Sequence, residues 1–212
     1  MSAKTARPQG NPRGSGYPRA TDDFYVEPPE AVHALFDAEH FRGHIYDPAC
    51  GIGTIVKIAR QRGYGAAGSD IEDRLGLSQS GVWFRQDFVT GSWGPRPVLA
   101  SRDGYTVQLD ENIVCNPPYG LAQEFILRAL IVAQRKVAML LRLSFLEGQE
   151  RAKLFQSTRL ARVHVFSYRI SMPSGAALAA GTKPKGGSVA FAWFVWDRDH
   201  VGPPTINWLT RQ

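Results

Sequence analysis

The chain has 212 residues, enough for one domain with its own core at about 150 residues per domain. Apolar residues make up 43 % and charged residues 21 %, which excludes wholesale disorder, and the net charge of +6 leaves an anionic partner open. No apolar run reaches membrane-spanning length, and the opening MSAKTARPQGNPRG lacks the apolar segment of a secretion signal. Cys50 and Cys115 are the sole cysteines, so a disulfide scaffold and a Cys-rich zinc module are excluded, and a reducing cytoplasm is expected.

Residues 1–21 carry Lys4, Arg7, Arg13 and Arg19 and no acid, with three prolines and three glycines. They cannot bury enough surface to offset ordering entropy and read as a mobile basic arm. Pro28 and Pro29 open a helix whose apolar face is Ala31, Val32, Leu35 and Phe36. A short strand, 44–46, runs into Asp47-Pro48-Ala49-Cys50-Gly51-Ile52-Gly53-Thr54, and a helix follows from Ile55 to Arg62. Residues 65–70 and 82–84 read as the second and third strands, ending near Asp70 and Asp87. Residues 91–108 read as a loop or short insertion.

The fourth strand, 112–115, leads into Asn116-Pro117-Pro118-Tyr119. A helical period spans 121–134, a buried strand 136–143, a helix 147–156 and a further strand 162–170. Residues 171–188, rich in Gly, Ala, Pro and Lys, read as a mobile loop before a strong strand at 189–196. Strand alternating with helix calls for a parallel sheet covered on both faces, with ligands at the carboxyl edge of its strands. Charge is uneven along this order: residues 134–169 hold eight basic side chains against two acidic, while 22–133 hold nine against fifteen. Such asymmetry fits one part handling a small molecule and another facing a polyanion, or simply a solvated helix face and a basic tail.

Gly51 and Gly53 lie between strand and helix, where backbone approaches a ligand closely. A dinucleotide fingerprint needs a third glycine where Val56 stands, and the Gly-Lys-Ser/Thr of a phosphate loop is absent. The loop is preceded by Asp47, which would pair with an ammonium group. Asp70 ends the next strand, where it can accept hydrogen bonds from a ribose diol. That combination describes S-adenosylmethionine better than a nucleotide; a plain strand-to-helix turn is the other reading.

Two adjacent prolines in the tetrad remove two backbone donors and hold the chain extended, leaving carbonyls at Asn116 and Pro117 turned outward. An exocyclic amine needs acceptors that hold and polarise it, and the Asn116 oxygen with a backbone carbonyl provides them. Tyr119 offers a ring to a flat base, a contact worth ~1–3 kcal/mol. A proline turn with Tyr119 as core filler is the alternative.

Together, Asp47 to Thr54 and Asn116 to Tyr119 resemble the corresponding motifs of amino-methyltransferases, above all the small phage-type N6-adenine DNA methyltransferases. Phe24-Tyr25-Val26-Glu27-Pro28-Pro29 is similar to the family segment that lines the methionine end of the cofactor, with Glu27 where a Thr is common. The resemblance implies an α/β, Rossmann-like sheet of order 3-2-1-4-5-7-6, the strand at Val189 antiparallel, with helices on both faces. It also implies transfer of a methyl group from S-adenosylmethionine to the N6 amine of adenine in DNA. The target base would be flipped out of the stack into a pocket of Asn116, Pro117, Pro118 and Tyr119. Cofactor contacts would come from Phe24, Tyr25, Asp47, Pro48, Ala49, Cys50, Gly51, Gly53, Thr54, Asp70, Ile71, Asp87, Phe88 and Asn116. Asp70 would take the ribose and Asp87 the adenine amine.

Residues 22–212 would then form a single methyltransferase domain without the separate target-recognition domain of many family members. The basic segments 134–169 and 171–188 and the N-terminal arm would hold phosphate. Sequence reading would fall to residues 91–108, to 171–188 or to a partner. RNA bases, a protein glutamine, or a catalytically silent nucleic-acid-binding role are the competing functions. The histidines show no ligand spacing, so no metal is expected. Cys50 and Cys115 read as small buried side chains, Trp83, Trp193 and Trp196 as core, and Trp93 and Tyr105 as candidate nucleic-acid contacts.

Overall fold

A computed structural model describes residues 23–74, 83–91, 98–100, 106–108, 111–181 and 187–211; at 83, 98–100 and 106–108 it describes the backbone alone. The N-terminal arm, Trp93, Tyr105 and residues 182–186 lie outside the described residues. Helix α1, Pro29–Ala38, starts with Pro29 in its first turn, where a missing N–H costs nothing, and buries Ala31, Val32, Leu35 and Phe36 as the spacing predicts. Strand β1 (Ile45–Asp47), helix α2 (Thr54–Gln61), β2 (Ala66–Asp70) and β3 (Trp83–Arg85) follow.

Residues 91–108, expected as a loop or short insertion, contain strands β4 (Val98–Ala100) and β5 (Thr106–Gln108), which pair antiparallel apart from the main sheet. Next come β6 (Asn112–Cys115), α3 (Ala122–Val132), β7 (Lys136–Arg142), α4 (Gln149–Ser157) and β8 (Leu160–Phe166). Helix α5 (Gly175–Ala179), β9 (Phe191–Asp197) and β10 (Thr205–Leu209) complete the order.

The main sheet has eight strands in the order β10-β8-β9-β7-β6-β1-β2-β3. Seven of them stand as expected, with β9 antiparallel to both β7 and β8. The eighth, β10, pairs parallel with β8 at the edge and was not foreseen. Four of its five residues are exposed, so it has no buried apolar run to announce it.

Central strands are buried on both faces, as parallel sheets require. Along β7, Val137, Met139 and Leu141 enter the cluster that packs Phe125 and Ile126 of α3 and Leu154 of α4. Ala138 and Leu140 enter the cluster that packs α1 and α2. Each fully buried large side chain stabilises the fold by about 1.5–3 kcal/mol. Trp193 and Trp196 are core, as expected; the Trp193 indole donates to the Ala31 carbonyl at 2.9 Å and fastens α1 to β9.

At the amino edge of the parallel strands, Glu39 is buried among cations. Lys136 Nζ lies 2.7 Å from Glu39 Oε2, His164 Nε2 2.9 Å from Oε1, and Arg162 pairs with Glu39 and, at 2.6 Å, with Asp197. Burial alone would raise the Glu39 pKa, but hydrogen bonds from His164, Arg162 and Lys136 outweigh it and hold the carboxyl at about 2. Lys136 and Arg162 therefore belong to a structural network opposite the ligand edge. The expectation that all of segment 134–169 faces phosphate fails for these two residues.

Candidate active site

The carboxyl ends of β1, β2, β3 and β6 surround a cavity of about 450 Å³. Its wall includes Phe24, Tyr25, Pro48, Ala49, Cys50, Gly51, Asp70, Ile71, Asp87, Phe88, Asn116 and Pro118, all singled out in the sequence. Asp47, Gly53, Thr54, Pro117 and Tyr119 are not part of that wall. Val26 and Glu27, from the segment likened to the one at the cofactor's methionine end, also line it, as do Ile52, Arg74, Gln86, Leu121 and Phe125, which the sequence did not mark as site residues.

The glycine loop is held by its neighbours. Gly51 has φ +51°, and a Cβ there would come within 2.6 Å of the Phe24 ring, so both conformation and space demand glycine. Its N–H donates to Asp70 Oδ2 at 2.8 Å. Asp70 Oδ1 accepts from the Glu72 N–H at 3.1 Å and lies 3.9 Å from Arg74 Nε. The Arg74 guanidinium sits 3.9 Å from the centroid of the Phe24 ring. Gly53, with φ +78°, turns the chain into α2.

Asp47 closes strand β1. It is 1 % exposed behind the cavity wall, where its carboxylate accepts from the Ala49 N–H at 3.2 Å. Burial, reinforced by the nearby Glu27 carboxyl, pushes its pKa well above the usual carboxylate range. Asp87, by contrast, is a solvated carboxylate: the Thr90 hydroxyl donates to it, and so do the N–H groups of Thr90 at 3.1 Å and Val89 at 2.9 Å. These bonds, led by the Thr90 hydroxyl, hold its pKa below the ordinary value.

The tetrad lies across the cavity from the loop. Asn116 is buried, and its Nδ2 donates to the Tyr25 carbonyl at 2.8 Å and to Glu27 Oε2 at 3.0 Å. With both N–H bonds committed, Nδ2 and Oδ1 are distinguished by their partners. Oδ1 is buried and, among the described residues, has no hydrogen-bond partner. A buried acceptor left unpaired costs about 1–3 kcal/mol, which a ligand N–H would recover.

Tyr119 follows the two prolines and is partly buried. Its ring stacks on Tyr25 at 5.6 Å between centroids, lies 5.9 Å from Phe191, and has the Arg142 guanidinium 4.9 Å from its centre. Its phenol is buried, which raises its pKa above the ordinary value.

The expected loop at 171–188 is partly built. The Val26 N–H donates to the Pro173 carbonyl at 2.9 Å, the Gly175 N–H donates to the Phe24 carbonyl at 3.1 Å, and Tyr25 pairs antiparallel with Ser174. Ser174 Oγ then caps α5 by accepting from the Ala177 N–H at 3.2 Å. Cys50 and Cys115 are free and buried, and no cluster able to hold a metal occurs among the described residues. No helix among those residues is long and apolar enough to cross a membrane.

No protein-family model matches the chain, and no curated protein does. Similar solved structures do exist. A provisionally named RNA methyltransferase from Pyrococcus horikoshii is 13 % identical over 79 % of this chain and 81 % of its own, with a TM-score of 0.53. A provisionally named haemolysin from Lactococcus lactis is 11 % identical over 88 % of this chain and 94 % of its own, with a TM-score of 0.52. The protein of a structure titled for conversion of a disulfide bond into a thioacetal group during echinomycin biosynthesis is 13 % identical over 80 % and 82 %, with a TM-score of 0.51. The fold is the Rossmann-like methyltransferase fold. One architecture thus carries proteins of very different names, and the acceptor is set by the site rather than by the fold.

Proposed function

We propose that the protein transfers a methyl group from S-adenosylmethionine to the N6 amine of adenine in DNA, in the reducing cytoplasm. The observation that carries this reading is the Asn116 amide, whose nitrogen is bound inward and whose oxygen is a buried acceptor without a partner beside the cavity. That arrangement accepts an N–H and offers nothing to a carbonyl or an anion.

The cavity suits the cofactor. Its volume falls within the usual range of small-molecule sites, about 300–1,000 Å³. Asp70 keeps lone pairs for a ribose diol after its bonds to Gly51 and Glu72, and Asp87 presents an anionic acceptor to an adenine amine. Ile71 and Phe88 line the same cavity and give a flat ring apolar contact. When bound, the cofactor supplies an electrophilic methyl group on a sulfonium. The protein's own part is to hold and orient. Asn116 Oδ1, with the Pro117 carbonyl as second acceptor, takes the amine's N–H bonds and leaves its lone pair free. The Pro118 carbonyl is already engaged by the Leu121 N–H at 2.9 Å.

Phosphate contact is assigned to Arg142, at the carboxyl end of β7 beside Tyr119, and to exposed residues of the ligand edge rather than to Lys136 and Arg162. The test is incubation with isotopically labelled S-adenosylmethionine and DNA, RNA or protein, followed by mass analysis of the modified nucleoside or residue. Labelled N6-methyladenosine from RNA alone would move the acceptor to RNA, and label on glutamine would move it to protein.

A further inference from the structure

An asparagine amide can sit in either of two orientations related by a half-turn, and only one of them turns its oxygen to an incoming amine. The Tyr25 carbonyl, 2.8 Å from Asn116 Nδ2, satisfies one N–H. The second N–H is satisfied by Glu27 Oε2 at 3.0 Å, from a residue 89 positions away in the chain. Glu27 is itself buried and lines the cavity. Its carboxyl also accepts from its own backbone N–H and from the Thr54 hydroxyl at the start of α2. Three donors converge on it, so it serves as an acceptor in this structure. A Thr at this position would be shorter and could not bring a carboxylate to Asn116.

We propose that Glu27 is the positioning residue of the site: its carboxylate holds the Asn116 amide with Nδ2 facing the protein and Oδ1 facing the acceptor's amine. The proposal rests on the reading of Asn116 as the group that receives the amine.

Glu27 is faced by Asp47 from the end of β1, by Cys50 of the glycine loop, by Cys115 from the end of β6 and by Tyr119 of the tetrad. Each is an acid whose pKa burial raises above its ordinary value. Burial also raises Glu27, to about 7, against the bonds from its own N–H, Asn116 and Thr54. As pH falls through that value the carboxylate is protonated, and a proton on Oε2, the oxygen that accepts from Asn116 Nδ2, sets a donor against that N–H and frees the amide to turn. Methyl transfer accordingly falls on the acid side. Glu27→Gln keeps a carbonyl acceptor for Nδ2 without a titrating group, so it retains the orientation and loses the acid limb.

The experiment compares the full chain with Glu27→Gln and Glu27→Ala by two readouts. The first is the Asn116 side-chain amide resonance followed against pH with no cofactor or acceptor present. In the unsubstituted protein it moves with a midpoint near 7, and in Glu27→Gln it stays fixed. The second is single-turnover methyl transfer beside calorimetric affinity for S-adenosylhomocysteine. Glu27→Ala slows transfer at least about tenfold with affinity within about threefold, and Glu27→Gln restores most of the rate. An Asn116 resonance indifferent to pH and to both substitutions overturns the proposal. So does an unchanged rate in Glu27→Ala, or a loss of affinity that accounts for the whole loss of rate. If Glu27→Ala does not fold, the pH behaviour of Glu27→Gln decides. If the unsubstituted protein methylates no adenine, the proposed function fails while the resonance still reports whether Glu27 holds the amide.

Discussion

The Gly51 N–H donates to the carboxylate of Asp70 at 2.8 Å, joining the glycine loop to the end of the neighbouring strand across nineteen residues. One side chain thus fixes the loop and faces the cavity. Asp70→Ala removes both the loop's anchor and the acceptor proposed for the ribose diol. Calorimetry should show S-adenosylmethionine binding weakened about tenfold or more, as expected for lost charge-assisted hydrogen bonds of about 1.5–3 kcal/mol. An unaltered affinity would move the ribose away from β2.

Asn116→Ala should separate binding from chemistry. Methyl transfer should fall at least about a hundredfold, the scale for removing one preorganised hydrogen-bonding group from a reacting centre. Cofactor affinity should stay within about threefold, because Asp70, Asp87 and the loop are untouched. Turnover at the original rate would reject the role given to Asn116.

The basic residues divide by edge. Arg142 lies at the ligand edge against Tyr119, so Arg142→Ala should weaken nucleic-acid binding and flatten its salt dependence by about one phosphate contact. Arg162→Ala should instead lower thermal stability with little effect on that salt dependence, since Arg162 is bound to Glu39 and Asp197. A loss of affinity in Arg162→Ala at full stability would contradict this division.

Glu39 gives the fold an acid sensitivity of defined sign. Its pKa is lowered from 4.5 to about 2, so its stabilisation is fully present above 4.5 and is lost as pH falls through about 2. Denaturant titrations across that interval should show stability falling toward acid. Glu39→Gln should reduce the slope there and cost about 3–5 kcal/mol near neutrality, the scale for leaving buried partners unpaired. An unchanged slope would remove Glu39 from the acid response.

What was legible in the chain was local. Within the strand Lys136–Arg142, Val137 to Leu141 form a continuous apolar run, and the glycine loop and the tetrad are contiguous motifs that the sheet brings to one edge. What was hidden depends on distant residues. Whether Asp47 is a solvated anion or a buried acid depends on Glu27 and on the depth of β1. Lys136 and Arg162 look like surface charge until Glu39, 123 residues from Arg162, comes to lie beneath them. The orientation of Asn116 depends on Tyr25 and Glu27, whose segment gives no sign of pairing with residues 173–175. Strand β10 escaped notice because its residues are mostly exposed and its pairing is with β8.

The most direct measurement is a crystal structure with S-adenosylhomocysteine and an adenine-containing oligonucleotide. The account predicts the ribose hydroxyls on Asp70, the cofactor's adenine beside Asp87, and the target amine within hydrogen-bond distance of Asn116 Oδ1. A cofactor bound away from the space between Asp70 and Asn116, or a target base with no N–H on Asn116, would contradict it.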